Sequence, residues 1–318
     1  MRKMQALEAR PTGKANPVRR TLEGYYKQRY LFLALLPAII YYVVFHYGPM
    51  YGLIIAFKDF RFSQGIWGSP WVGLENFKMF LSSPDFLNVL GNTFTISFMQ
   101  LIFGFPMPLI FALFLNEIRH NAYKRTIQTI SYIPHFLSWI VLSGIFIEIL
   151  SPTRGIVNYI LMAMGFEPIH FMADKHWFRW VLVASNIWKE MGWNSIIYLA
   201  ALTGIDTQLY EAATIDGAGR FKKMAHITLP SILPIVSIML IMAIGKIIND
   251  NFDQIFNMYN SSVYSVADVI STYVYRMGIV DMEYSFAAAV DLFKNVISFV
   301  MIILANTVAK RLGDYGIW

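Results

Sequence analysis

Six apolar runs set the terms for this chain. A helix needs about 20 consecutive apolar residues to cross the hydrocarbon core of a bilayer. Stretches of about that length run from Leu31 to about Phe57 and over Asn92–Leu115, Ile127–Leu150, Trp180–Leu202, Ser231–Ile248 and Tyr284–Val308. Inside lipid every backbone N–H and C=O must find a partner within the protein, and for separate spans of this length helices supply it. Only 14% of the 318 residues are charged, against ~25% in an ordinary soluble domain. The expected fold class is all-α integral membrane, with six transmembrane helices. Pro106 and Pro108 fall inside the second run, Pro134 near the start of the third and Pro234 in the first turns of the fifth. Prolines so placed are either kinks that let helices rock or static bends.

The connections then fix an orientation. Residues 1–29 are polar and basic and are expected as a disordered tail, with no cleaved leader. Six spans put both termini on one side. The tail, the 119–125 connection, the connection before Pro230 and the 310–318 tail carry sixteen Lys and Arg. The connections on the other side carry eight. The positive-inside rule therefore predicts cytoplasmic termini at both ends of a 30–309 membrane domain, in a multi-pass protein. The net charge of +6 belongs to this asymmetry, and no nucleic-acid partner is expected. The 58–88 connection carries Trp67 and Trp71, aromatics that suit the headgroup level. It and the Tyr-rich 249–283 connection are expected outside, where they help dock a soluble partner. The chain has no cysteine, which excludes disulfides and thiol catalysis.

One polar stretch stands out. Tyr210–Pro230, YEAATIDGAGRFKKMAHITLP, lies between the fourth and fifth runs. Leu209 to Ile215 reads as a short helix, with Glu211 favouring its N-terminal end. Gly217 and Gly219 permit a sharp turn. Phe221, Met224, Ala225 and Ile227 then recur at helical spacing. Pro230 is expected in the first turn of the fifth span. The result is a small exposed helix at the foot of a span, on the cytoplasmic side.

Glu211-Ala212-Ala213, three residues, Gly217, nine residues, Ile227, one residue and Leu229-Pro230 resemble the EAA loop of bacterial ABC importer permeases, E-A-A-x3-G-x9-I-x-L-P. Asp216 and Phe221 resemble the sugar-importer form. Ile270–Arg276, Ala287–Val290 and Lys310–Leu312 resemble the branch for oligo- and polysaccharides, alginate-type importers included. The resemblance implies that the 204–230 loop holds a coupling helix seated in a groove of an ATPase subunit. It also implies a second permease, two ATPase subunits that bind the ATP and Mg, an extracytoplasmic solute-binding protein and a place in the bacterial inner membrane. Ala212 and Ala213 would let the helix sit deep, and Glu211 would take a charge-assisted hydrogen bond from the ATPase.

No phosphate-binding G-x-x-x-x-G-K-[ST] is present, because Gly245-Lys246 is followed by Ile247. The chain is therefore not expected to bind ATP or to be an enzyme, and its scattered histidines suggest no metal. The polar residues inside the runs remain. Intramembrane polar groups mark either a pathway or a buried pair. Asp291 and Lys294 are three apart and can pair on one helix face, whereas Lys189 and Glu190 point ~100° apart. A sugar path would use Asn186, Trp193, Asn194, Asn249 and Asn295, with Lys189, Glu190, Asp291 and Lys294 as further candidates. The alternatives are another solute of the same family, such as glycerol phosphate or a peptide, and an ion-coupled secondary transporter.

Overall fold

The computed structural model describes residues 29–245 and 251–313. Of the expected tail at 1–29, residues 1–28 lie outside the described residues, as do the end of the fifth run with Asn249 and residues 314–318, while Arg29 already opens a helix. Among the described residues the architecture is all-helical, with a single isolated bridge between Lys58 and Trp71 and no strand. The chain divides into two compact units between Ile54 and Ile55. The first holds most of α1 (Arg29–Phe57). The second begins with α2 (Glu75–Ser82), α3 (Phe86–Glu117), α4 (Asn121–Phe136), α5 (Trp139–Ile149) and α6 (Ile156–Ala163). It continues with α7 (Lys175–Thr203), α8 (Thr207–Ile215), α9 (Arg220–Gly245), α10 (Phe252–Met258), α11 (Ile270–Tyr275) and α12 (Tyr284–Gly313).

Four of these helices are long and apolar enough to cross a membrane: α1, α3, α9 and the Tyr284–Val308 part of α12. A fifth candidate is the pair α4–α5, which takes the place of the single span expected over Ile127–Leu150. The pair is bent by 106°. Hydropathy sees one run here because Leu137 and Trp139 are apolar. The backbone sees Pro134 in a 3-10 turn, an extended Leu137 and Ser138 opening a new helix. Helix α7 has the length, at 29 residues, but its Asn186, Lys189, Glu190 and Asn194 keep it below the same apolar level. The connections are also more ordered than plain loops. The 58–88 segment holds α2, the 151–178 segment holds α6, and α10 and α11 follow residue 251.

Three prolines share one device. Pro49, Pro106 and Pro230 each follow a π turn, at Val43–Tyr47, Gln100–Gly104 and Met224–Thr228. In each case the residue before the proline donates its N–H five residues back: Gly48 to Val43, Phe105 to Gln100, Leu229 to Met224. The extra residue in the turn relieves the clash between the proline ring and the carbonyl four residues earlier. Helix α9 therefore runs unbroken through Pro230. That proline does not open the fifth span as expected; it lies well inside a helix that starts at Arg220.

Three apolar clusters hold the second unit together. Ile96, Phe178, Leu182, Ile255 and Val263 join α3, α7 and α10. Phe80, Val89, Ile270, Tyr273 and Val290 join α2, α3, α11 and α12. Ala112, Tyr198, Leu202 and Ile232 join α3, α7 and α9. Small residues set the closest approaches. A Cβ on Gly192 of α7 would lie 2.1 Å from the Ser131 carbonyl oxygen of α4. That contact is backbone and cannot rotate away. Gly192→Ala is expected to lower stability by about 1–3 kcal/mol, as overpacking does. Gly91→Ala, where a Cβ meets nothing within 4 Å, should be neutral or mildly stabilising. Unfolding midpoints in detergent for the two variants check this, and equal midpoints would contradict it.

Candidate functional site

A cavity of about 390 Å³ opens between α3, α5, α7 and α9. Its polar lining is mostly amide. Gln100 comes from α3, Asn186 and Asn194 from α7, and Asn251 from the segment before α10. Asn186 Nδ2 donates to Gln100 Oε1 at 2.7 Å, and Asn251 Nδ2 reaches Gln100 Oε1 and Asn186 Oδ1, each at 3.2 Å. Behind them Gln254 is fully buried. Its Nε2 donates to the Leu182 carbonyl at 2.7 Å and to Ser185 Oγ at 2.8 Å. Gln100, Asn186 and Asn251 are thus pre-aligned by one another. Met191, Met239 and Met242 supply soft apolar surface beside them.

Of the expected path residues, Asn186, Glu190 and Asn194 line this cavity and Trp193 does not. The Trp193 ring stacks on His135, with centroids 4.5 Å apart and planes at 2°. Glu190 Oε2 lies 2.8 Å from His135 Nδ1, so its carboxylate faces the cavity and the α4 side together. Gln100, Asn251 and Gln254 were missed by sequence reasoning. The signal for Gln100 was present, as a lone glutamine within the second apolar run. Nothing in the spacing marked the other two.

Lys189 is buried, at 7% exposure. Its Nζ donates to the carbonyls of His135 at 2.7 Å and Leu137 at 2.8 Å, with Pro134 at 3.4 Å. These carbonyls belong to the break between α4 and α5. The ammonium also sits 5.7 Å from the centre of the Trp139 ring and 3.8 Å from Glu190. Lys189 therefore closes the elbow in the broken pair, where carbonyls lack helical partners. Lys189→Met should leave those carbonyls unsatisfied and lower stability by about 1–3 kcal/mol, with Lys189→Arg restoring part of it. Thermal unfolding in detergent reads the loss, and an unchanged midpoint for Lys189→Met would show that the elbow holds without it.

Asp291 and Lys294 lie apart from these groups, in a second recess of about 550 Å³ with Phe252, Tyr275 and Tyr284. They do pair on α12, at 3.3 Å. Lys294 Nζ also donates to Ser271 Oγ at 2.9 Å, and Asn295 donates to Asp291 at 3.1 Å. Nearby, Arg276 is bonded to Asp268 at 2.5 Å. That bond holds the guanidinium pKa above its ordinary value. Burial pushes the Tyr259 phenol up to about 12.

The turn after α7 is built differently. Helix α8 begins at Thr207, capped by Asp206, whose Oδ1 accepts from Gln208 N–H at 2.9 Å. Glu211 therefore lies beyond the first turn, not at the N-terminal end as expected, because the helix starts two residues earlier than Leu209. Gly217 takes a φ of +74°. Ala218 N–H donates to the Ala213 carbonyl and Gly217 N–H to that of Thr214. This pair of bonds is a Schellman closure and explains the glycine. Helix α8 is tied to the base of α9 by Tyr210 OH and Thr228 Oγ1 at 2.9 Å, and by Lys223 Nζ donating to Thr214 Oγ1 at 2.6 Å. None of these four residues was singled out from the sequence. Glu211, Ala212, Asp216, Gly217, Phe221, Leu229 and Pro230 are exposed and Ala213 is half-buried. Ile215 and Phe221 are 88% and 80% exposed.

A helical membrane chain whose cavity-lining helices are joined by a rigid exposed turn has the build of a transport subunit. Residues 104–314 match the family described as "Binding-protein-dependent transport system inner membrane component", and the chain belongs to that family. It is 45% identical over 292 residues to Protein LplB of Bacillus subtilis, with 92% of each chain covered. It is 40% identical over 292 residues to the polygalacturonan/rhamnogalacturonan transport system permease protein YteP of the same organism, covering 92% of this chain and 91% of that one. A crystal structure of a bacterial alginate ABC transporter, in complex with alginate pentasaccharide-bound periplasmic protein, contains a chain of the same fold. The TM-score is 0.86 at 38% identity, covering 94% of this chain and all of the other. The protein is thus an inner-membrane permease component of an ABC importer.

Proposed function

We propose that this chain is one permease half of an ATP-driven importer for an oligo- or polysaccharide. The observation that carries the reading is the path from cavity to turn. Helix α7 lines the cavity with Asn186, Glu190 and Asn194, and only Gly204–Asp206 separate it from α8. Helix α8 is closed at Gly217 and fastened to α9, which lines the opposite wall through Met239 and Met242. A displacement of α8 is therefore transmitted to two walls of the cavity through short, hydrogen-bonded connections.

In this reading the chain crosses the inner membrane six times, by α1, α3, the broken pair α4–α5, α7, α9 and α12. The excess of Lys and Arg supports cytoplasmic termini and a cytoplasmic α8. There α8 serves as the coupling helix and seats in a groove of an ATPase subunit that binds ATP and Mg. Glu211, Ala212, Ala213, Asp216, Gly217, Phe221, Leu229 and Pro230 form or shape its contact. A second permease completes the cavity, and a second ATPase completes the motor. An extracytoplasmic solute-binding protein delivers the cargo to the 58–88 and 251–283 connections. The amide lining favours a saccharide, since amides donate to and accept from hydroxyls. The cargoes named for YteP and for the alginate importer agree with this.

Glu211→Lys tests the coupling. A charge-assisted hydrogen bond is worth about 1.5–3 kcal/mol, so ATPase retention on co-purification and ATP-driven uptake should fall by about tenfold to a hundredfold, with membrane insertion intact. Uptake that runs on an ion gradient, with no ATPase retained by the unsubstituted chain, would contradict the proposal.

A further inference from the structure

We infer that residues 60–74 form a rigid aromatic foot that seats in the lipid headgroup layer, beside Phe57 and Tyr284, where two spans end. The depth of the segment comes from its contacts. Phe57 is the last residue of α1 and Tyr284 the first of α12, both long and apolar enough to cross the membrane. Phe60 N–H donates to Ser285 Oγ at 2.9 Å. The Phe60 and Phe62 rings meet the Tyr284 ring edge-on, with centroids 6.0 and 5.7 Å apart. Val72 N–H donates to the Phe57 carbonyl at 3.0 Å. The segment is therefore held at the level where a membrane helix leaves the hydrocarbon and meets the headgroups. This depth does not depend on which side of the membrane the segment faces.

The foot is built around a buried cation. Lys58 is 3% exposed. Its Nζ donates to the carbonyls of Ile66 at 2.7 Å and Trp67 at 3.3 Å, and lies 4.8 Å from the centre of the Trp71 ring. Asp59 N–H donates to the Pro70 carbonyl at 2.9 Å and Arg61 N–H to Ser69 Oγ at 3.0 Å. Asn76 closes the base on the carbonyls of Ala56 and Lys58. An irregular segment can approach hydrocarbon only with its backbone groups bonded in this way. While the ammonium is drawn inward, the apolar side chains are turned out. Phe62, Trp67 and Trp71 are 79%, 81% and 66% exposed. A tryptophan ring joins an apolar body to one N–H, and the headgroup layer favours that combination. Helix α2, next in the chain, exposes the paired charges of Glu75 and Lys78 instead. The 58–88 connection is thus divided between a part that rests on lipid and a part left to the delivery protein.

The test uses the chain's lack of cysteine. Phe62→Cys, Trp67→Cys and Lys78→Cys are each labelled with an NBD fluorophore, in the whole importer reconstituted into vesicles of phosphatidylcholine and phosphatidylglycerol. Labelling of the unsubstituted importer gives the background. Phosphatidylcholine brominated near the ester end of its acyl chain should quench the reporters at 62 and 67 about twofold or more over the reporter at 78, and aqueous iodide should do the reverse. Two positions in the foot keep the test valid if one substitution disturbs the segment. Lipid quenching at 62 and 67 no stronger than at 78 would overturn the inference. If iodide then quenches them, the segment belongs to water or a soluble partner; if it does not, the segment lies against a neighbouring chain.

Discussion

An ammonium group deep in a membrane protein must be held, and here its holding shapes the protein. Lys189 sits on carbonyls that the break between α4 and α5 leaves without helical partners. The same turn of α7 supplies Glu190 to His135, Gly192 to the close approach of Ser131, and Trp193 to the His135 ring. One turn of one helix thus fastens the elbow by charge, hydrogen bond, backbone contact and stacking. The elbow in turn places Trp139, whose ring faces Lys189 and lines the cavity. The polar residues that make α7 too hydrophilic to look like an ordinary span are those that hold the bent pair and line the cavity.

The same economy links the prolines to the turn. A proline inside a helix usually kinks or ends it. The π turn before Pro230 lets α9 continue from the exposed turn into the membrane without a joint. Below it, the Gly217 closure and the Tyr210–Thr228 bond make α8 and the start of α9 one body. A stiff connection of this kind transmits a push, where a flexible one would absorb it.

Much of this could be read from the sequence. Four of the apolar runs located helices long and apolar enough to cross a membrane, α1, α3, α9 and α12, and the spacing from Glu211 to Pro230 marked the turn and its family. What could not be read has physical causes. Hydropathy averages over composition and carries no direction, so a 106° bend inside Ile127–Leu150 was invisible. Propensity finds helices better than their ends, so α8 and α9 each start earlier than expected and Glu211 and Pro230 fall inside them. Polar residues in apolar runs announced that something was there. Whether each served the cavity or the scaffold depended on the facing helix: Asn186 met Gln100, while Lys189 met the carbonyls of a break that only the fold creates.

The proposed coupling requires the cavity beside α7 to change its exposure when an ATPase drives α8. Because the chain has no cysteine, Asn194→Cys provides a single reporter inside that cavity. The measurement is labelling of this residue by a membrane-impermeant maleimide, applied from either face of vesicles holding the whole importer. Labelling should come from one face without nucleotide and from the opposite face when the ATPases are locked with a non-hydrolysable ATP analogue. Labelling from the same face in both states would contradict the account.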